Sequence, residues 1–118
     1  MYINNFTHRF PYSRGAIRAT DIFVVRYDAD NGQAKLRKHT DASHLSFNVL
    51  LNDEFEGGGT RFHNRVDGTY YDVKPDVGEG IISHAEIQHE GLATTKGTRY
   101  ILVGFGESYI FDVSCFFI

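Results

Sequence analysis

Short apolar runs alternate with polar residues along the chain and are broken by turn signals at near-regular spacing. Strands are predicted near residues 22–27, 45–51, 60–63, 70–73, 80–83, 87–89, 99–105 and 109–113. Between them lie Asp30-Asn31-Gly32, Asn52-Asp53, Gly57-Gly58-Gly59, Val66-Asp67-Gly68, Pro75-Asp76-Val77-Gly78 and Lys96-Gly97, residue types that favour tight turns. Many short strands with almost no helical periodicity predict a sandwich or barrel. Within that class a double-stranded β-helix, or jelly-roll, fits best. The fold class expected is therefore mainly all-β, with residues 13–21 as a minimal helical or irregular lead-in. No internal repeat, low-complexity tract or linker interrupts the pattern, so residues 1–118 are expected to form one domain with its core at about 22–105.

Polar residues at positions that this pattern turns inward are the candidates for chemistry. On the strand at 99–105, Arg99, Ile101, Val103 and Phe105 share one face. A guanidinium at the start of an apolar face must be paired, and its planar fork matches a carboxylate. No acidic residue lies on that face, so a ligand carboxylate is a reasonable partner; an Asp or Glu elsewhere in the fold is the plainer one. In extended chain His39 and Asp41 point the same way while Thr40 points away. With His89, they form the 2-His-1-carboxylate set that suits a non-haem Fe(II) oxygenase, because one face of the metal stays open. His84 follows the apolar run Gly80-Ile81-Ile82-Ser83 and rivals His89 as the second histidine.

From about Ile22 to Phe105 the chain resembles the 2-oxoglutarate- and Fe(II)-dependent dioxygenases, in particular the prolyl 4-hydroxylase-like branch. The resemblance rests on ordered blocks: Phe23-Val24-Val25-Arg26-Tyr27, Leu36-Arg37-Lys38-His39-Thr40-Asp41, Leu45-Ser46-Phe47-Asn48-Val49-Leu50-Leu51-Asn52, Phe55-Glu56-Gly57-Gly58-Gly59-Thr60-Arg61-Phe62, His89-Glu90-Gly91 and Gly97-Thr98-Arg99-Tyr100-Ile101-Leu102-Val103-Gly104-Phe105. It implies His39, Asp41 and His89 as iron ligands and Arg99 as the residue that binds the distal carboxylate of 2-oxoglutarate. It implies Thr60 as a hydroxyl supporting that carboxylate and Tyr27 as a lining residue of the co-substrate pocket. The cofactor set implied is Fe(II), 2-oxoglutarate and O2, with ascorbate as an accessory reductant. Because Asp41 fills the site that related halogenases leave free, hydroxylation of a C–H bond is implied over halogenation. Two departures stand out: Leu36 replaces the usual aromatic residue three before the first ligand, and Arg99 stands where many prolyl 4-hydroxylases carry Lys.

Composition narrows the setting. A net charge of −3 and a pI near 6.0 give no electrostatic case for nucleic-acid binding. Cys115 is the one cysteine and allows no internal disulfide, consistent with the cytoplasm or another reducing compartment. The first residues lack the features of a signal peptide, and no apolar run reaches the ~20 residues of a membrane span. Family members usually carry helices before this core; with about 20 residues ahead of the first predicted strand, a minimal form, a fragment and an obligate oligomer are all compatible.

Several residues have plainer readings. His44 is expected to be exposed or to support the site, His63 to face either substrate or solvent, His8 to be a surface residue. Arg26 and Arg61 are expected to be solvated, with a substrate anion as the alternative. Asn48 shares the inward side of its strand with Ser46 and Leu50 if Phe47 and Val49 face away. The polar loops 28–34 and 64–69 are expected to frame the mouth of the pocket as mobile segments. The partner expected is a prime substrate: a prolyl or other residue of a protein or peptide, or a small molecule. Two other classes fit the same residues: a non-catalytic jelly-roll binding module, and a cupin-like metalloenzyme that uses the triad without 2-oxoglutarate.

Overall fold

The computed structural model describes residues 17–108, and these form nine strands and no helix. No helix long and apolar enough to cross a membrane is present among them. The strands are β1 (Ile17–Asp28), β2 (Leu36–His39), β3 (Leu45–Leu50), β4 (Phe55–Gly57), β5 (Thr60–His63), β6 (Tyr70–Val73), β7 (Gly80–His84), β8 (His89–Gly91) and β9 (Thr94–Ser108). The larger sheet runs β1-β9-β3-β7, with β4 paired to the start of β9; the smaller runs β2-β8-β5-β6. Every pair is antiparallel. This is the jelly-roll arrangement expected from the strand spacing.

The alternation of each strand sorts the chain into two faces. In the larger sheet, cross-strand register aligns Tyr27 with Arg99, Val25 with Ile101 and Leu50, Phe23 with Val103 and Asn48, and Phe105 with Ser46 and Ser83. These residues face the smaller sheet. Tyr27, Leu50 and Ile101 form the buried cluster, and Val25, Leu36, Phe55 and Val103 pack against it. Leu36 comes from the smaller sheet, so the cluster joins the two layers. Phe47 lies on the opposite face, its ring laid directly over Gly104, where even a Cβ would not fit. That face is apolar and open: Ile22 and Val24 are 55% and 56% exposed.

The structure extends and corrects several sequence expectations. Residues 17–21 are strand, not a helical or irregular lead-in; β1 continues through a register shift between Ala19 and Asp21. This polar stretch pairs with the end of β9, so backbone pairing and not side-chain pattern makes it a strand. The strand expected at 87–89 sits instead at His89–Gly91. The strand expected at 109–113, along with His8, Cys115 and residues 13–16, lies outside the described residues.

Candidate active site

His39 closes β2 and His89 opens β8, and the two are direct cross-strand partners. Their rings lie 4.5 Å apart. Each Nδ1 faces a carbonyl of its own chain two residues back: His39 to Arg37 O at 2.7 Å, His89 to Ile87 O at 2.9 Å. A ring nitrogen against a carbonyl donates its hydrogen there, which fixes the ring and leaves Nε2 as the outward nitrogen. Both Nε2 atoms point to Asp41, at 3.4 Å from Oδ1 for His39 and 3.5 Å from Oδ2 for His89. The three side chains offer ligand atoms that all lie within 4.8 Å of one another, close enough for one metal ion. Asp41 stands on the loop after β2, where its N–H donates to Ala85 O at 2.9 Å. The Ser46 hydroxyl, from β3, donates to Asp41 Oδ2 at 2.5 Å. Sequence reasoning placed Ser46 on the inward face but not at the carboxylate; that contact depends on how the intervening loop folds.

Beside the triad lies a pocket of about 90 Å³ between the sheets. Its wall includes His39, Asp41 and His89 at one end and Tyr27, Thr60 and Gly91 toward the other. Arg99 lies beyond Tyr27, only 4% exposed. Its guanidinium sits 4.3 Å from the centre of the Tyr27 ring, and one terminal nitrogen donates to Gly59 O at 3.2 Å. Its Nε is buried with no hydrogen-bond partner. Among the described residues no carboxylate pairs with it. Burial pushes the guanidinium pKa down, and the Tyr27 hydroxyl partly offsets this. Burial in turn pushes the Tyr27 phenol up, against the pull of Arg99. A buried cation with an orphaned donor is costly unless an anion completes it. The donor set therefore fits a ligand with a carboxylate at Arg99 and metal-binding oxygens at the triad.

Glycine makes room for the Arg99 side chain. Gly58 has φ +72°, and a Cβ there would lie 2.9 Å from Arg99 Cδ and 3.1 Å from Nε. Only a residue without a side chain both adopts that backbone conformation and admits the guanidinium.

The remaining candidates fall elsewhere. His84 stands opposite Leu45 at the end of β7, and the metal-sized cluster forms with His89 instead. His63 and Arg61 share the outer face of the smaller sheet. Arg61 pairs with Asp72 through Nε and a terminal nitrogen at 2.7 and 2.9 Å and lies 4.0 Å from the centre of the Tyr70 ring; His63 Nε2 is 3.8 Å from Glu90. Arg26 pairs with Asp28 at 2.5 Å. Both arginines are thus paired with carboxylates of the fold, and Arg26 also stays solvent-exposed, as expected. Asn48 faces inward and lines the pocket, as its alternation predicts. The two polar loops do not contribute to its wall. Each is closed on itself: Asp28 accepts from Asp30 N and Asn31 Nδ2, and Asn64 and Asp67 accept from Val66 N and Thr69 N.

Comparison with known proteins sets this geometry in a family. Residues 22–107 match the 2OG-Fe(II) oxygenase superfamily. The multifunctional procollagen lysine hydroxylase and glycosyltransferase of Rattus norvegicus is 41% identical over 113 residues, which is 88% of this chain and 14% of that protein. The chain thus spans about a seventh of the length of this curated relative. Among solved structures, a 2OG-Fe(II) oxygenase family oxidoreductase from Burkholderia pseudomallei superposes with TM-score 0.69 at 21% identity, covering 77% of this chain and 45% of that one. A prolyl-4-hydroxylase from Pseudomonas putida superposes with TM-score 0.61 at 24% identity, covering 74% and 51%. At these identities the superpositions speak to the fold, and the jelly-roll is shared. On the match across residues 22–107 and the identity to the procollagen lysine hydroxylase, the chain belongs to the 2OG-Fe(II) oxygenase superfamily.

Proposed function

We propose that this chain hydroxylates a residue of a protein or peptide, using Fe(II) held by His39, Asp41 and His89 and 2-oxoglutarate anchored at Arg99. The observation that carries this reading is a metal-sized triad lining a pocket whose wall includes Tyr27, with a buried, incompletely partnered guanidinium against the Tyr27 ring. A metalloenzyme without an acidic co-substrate has no use for that cation. Bound together, iron, 2-oxoglutarate and O2 supply oxidative decarboxylation of the keto acid coupled to oxygen insertion into a C–H bond. Ascorbate, as an accessory reductant, belongs to the same proposal.

The protein's own part is to bind, orient and exclude water. The carbonyls of Arg37 and Ile87 aim the two imidazoles. Three ligands on one side leave the opposite side of the ion for co-substrate and oxygen. In this reading Arg99 fixes one end of the diacid and the Thr60 hydroxyl supports it; Thr60 is 7% exposed and lines the pocket. Apolar walls from Val25, Phe62, Ile101 and Val103 keep bulk water from this region. The relative's name, procollagen lysine hydroxylase, favours a lysyl residue as the first substrate to test, ahead of prolyl.

The test is anaerobic binding of Fe(II) and 2-oxoglutarate, followed by a succinate assay against lysyl and prolyl peptides and a panel of small metabolites. Stimulation of succinate release by a lysyl peptide, with a matching gain of one oxygen atom in the peptide, is expected. Protein that binds neither iron nor 2-oxoglutarate would show a non-catalytic jelly-roll instead.

A further inference from the structure

Asp41 differs from its two companions in what holds it. His39 and His89 stand on strands of the smaller sheet, each aimed by a nearby carbonyl. Asp41 stands on a loop, and its carboxylate is tied to the larger sheet through Ser46. Ser46 is 7% exposed and pairs in register with Phe105 on β9 and Ser83 on β7. Two strand pairings therefore set the position of its hydroxyl. That hydroxyl makes the two carboxylate oxygens unequal. Oδ1 lies 3.4 Å from His39 Nε2, whereas Oδ2 lies 3.5 Å from His89 Nε2 and also accepts the Ser46 hydrogen at 2.5 Å. An O–H···O⁻ contact of this length is charge-assisted and strong.

We propose that Ser46 is a positioning residue that restricts Asp41 to metal binding through one oxygen, keeping a coordination position free for 2-oxoglutarate. The proposal rests on the Fe(II) reading above. An octahedral ion bound by two imidazoles and one carboxylate oxygen keeps three positions open. A chelating keto acid and O2 need all three. A carboxylate that turned to offer both oxygens would take one of them. The Ser46 hydrogen bond occupies one of the two lone pairs of Oδ2 and fixes the plane of the carboxylate, so that Oδ2 does not swing in as a second ligand. Without the hydroxyl the carboxylate can rotate about Cβ–Cγ and close the site to the chelate.

Ser46→Ala, Ser46→Val and Ser46→Thr separate the hydroxyl from side-chain volume, since Val and Thr share a shape and differ in that one group. The probes are Co(II) and then 2-oxoglutarate, added anaerobically, read by the visible absorption of Co(II) and by titration calorimetry. In the Ala and Val variants the Co(II) spectrum should change, and 2-oxoglutarate affinity of the Co(II)-loaded protein should fall about 10- to 100-fold, the size typical of groups that orient a metal ligand. The Thr variant should keep the wild-type spectrum and affinity. If Ala destabilises the fold, the Val and Thr pair decides alone. Wild-type spectrum and affinity in both Ala and Val would overturn the role of Ser46 while leaving the metal site standing. A wild-type protein that takes up no Co(II) would overturn the iron reading and this inference with it.

Discussion

Replacing Arg99 by alanine should leave metal loading intact and remove most of the affinity for 2-oxoglutarate. The guanidinium is 4% exposed, its Nε has no partner, and the one hydrogen bond it makes is a 3.2 Å contact to Gly59 O. Most of its donors are thus free for a ligand carboxylate. A hydrogen bond to a charged group contributes about 1.5–3 kcal/mol. Loss of that amount weakens binding about 10- to 150-fold, since each 1.4 kcal/mol is roughly tenfold. Desolvation places the effect toward the upper end. Arg99→Lys should lose less, because the charge survives and the fork does not. The assay is calorimetric titration of 2-oxoglutarate into Mn(II)-loaded protein under nitrogen, with thermal melting alongside. Co-substrate at ~100 times its Kd adds about 2.7 kcal/mol to wild-type stability, and should add far less to the variant. The ligand-free variant should melt near wild type, because a buried unpaired cation contributes little net stability. Equal 2-oxoglutarate affinity in wild type and Arg99→Ala would refute the reasoning.

Three further predictions follow from other parts of the site. His39→Ala, Asp41→Ala and His89→Ala should each abolish Fe(II) uptake and turnover, measured by bound metal and succinate, whereas His84→Ala should keep the metal; the reverse pattern for His84 and His89 would reassign the ligand. Gly58→Ala puts a methyl group 2.9 Å from Arg99 Cδ at a φ of +72°, so it should weaken 2-oxoglutarate while sparing metal binding, and unchanged calorimetry would show that Arg99 yields without cost. Asp28 has a pKa held below the ordinary carboxylate value, first by Asn31, then by the Asp30 N–H, with Arg26 adding to both. Because the folded value is the lower one, its contribution is present above the unfolded pKa of about 4 and is lost as pH falls through the folded value. Melting curves from about pH 7 to about pH 3 should lose stability more steeply for wild type than for Asp28→Asn; parallel curves would dismiss Asp28 as an acid-sensitive anchor.

How much was legible in the sequence depended on whether side-chain pattern or backbone pairing made the structure. Strands β5 and β6 fall at their predicted bounds, because short alternating runs end at unmistakable turns. β2 and β4 carried no such signal: Leu36-Arg37-Lys38-His39 is mostly basic, and Phe55-Glu56-Gly57 is three residues ending in glycine. They are strands because β8 and β9 pair with them. The grouping of His39, Asp41 and His89 was readable from residue type and order. The contact of Ser46 with Asp41 was not, since it needs the path of residues 40–44 in space. The two polar loops expected at the pocket mouth line none of its wall, and Asp28, Asn64 and Asp67 bond back to their own turns. Polar composition signals exposure, but it does not reveal that such internal bonds close the loop.

The strands of the smaller sheet also act as a ruler. Its inner face carries two rows: His39, His89, Phe62 and Tyr71 in one, Leu36, Gly91, Thr60 and Val73 in the next. His39 and His89 belong to the first row, and Arg99 reaches Gly59, just past the second. Successive inward residues on a strand are about 7 Å apart. The distance along the smaller sheet from the paired histidines to the Thr60–Gly91 row is therefore set in whole strand steps. Under the proposed reading, this fixed spacing on one sheet is the frame against which Arg99, carried by β9 of the other sheet, meets a co-substrate held at the histidines.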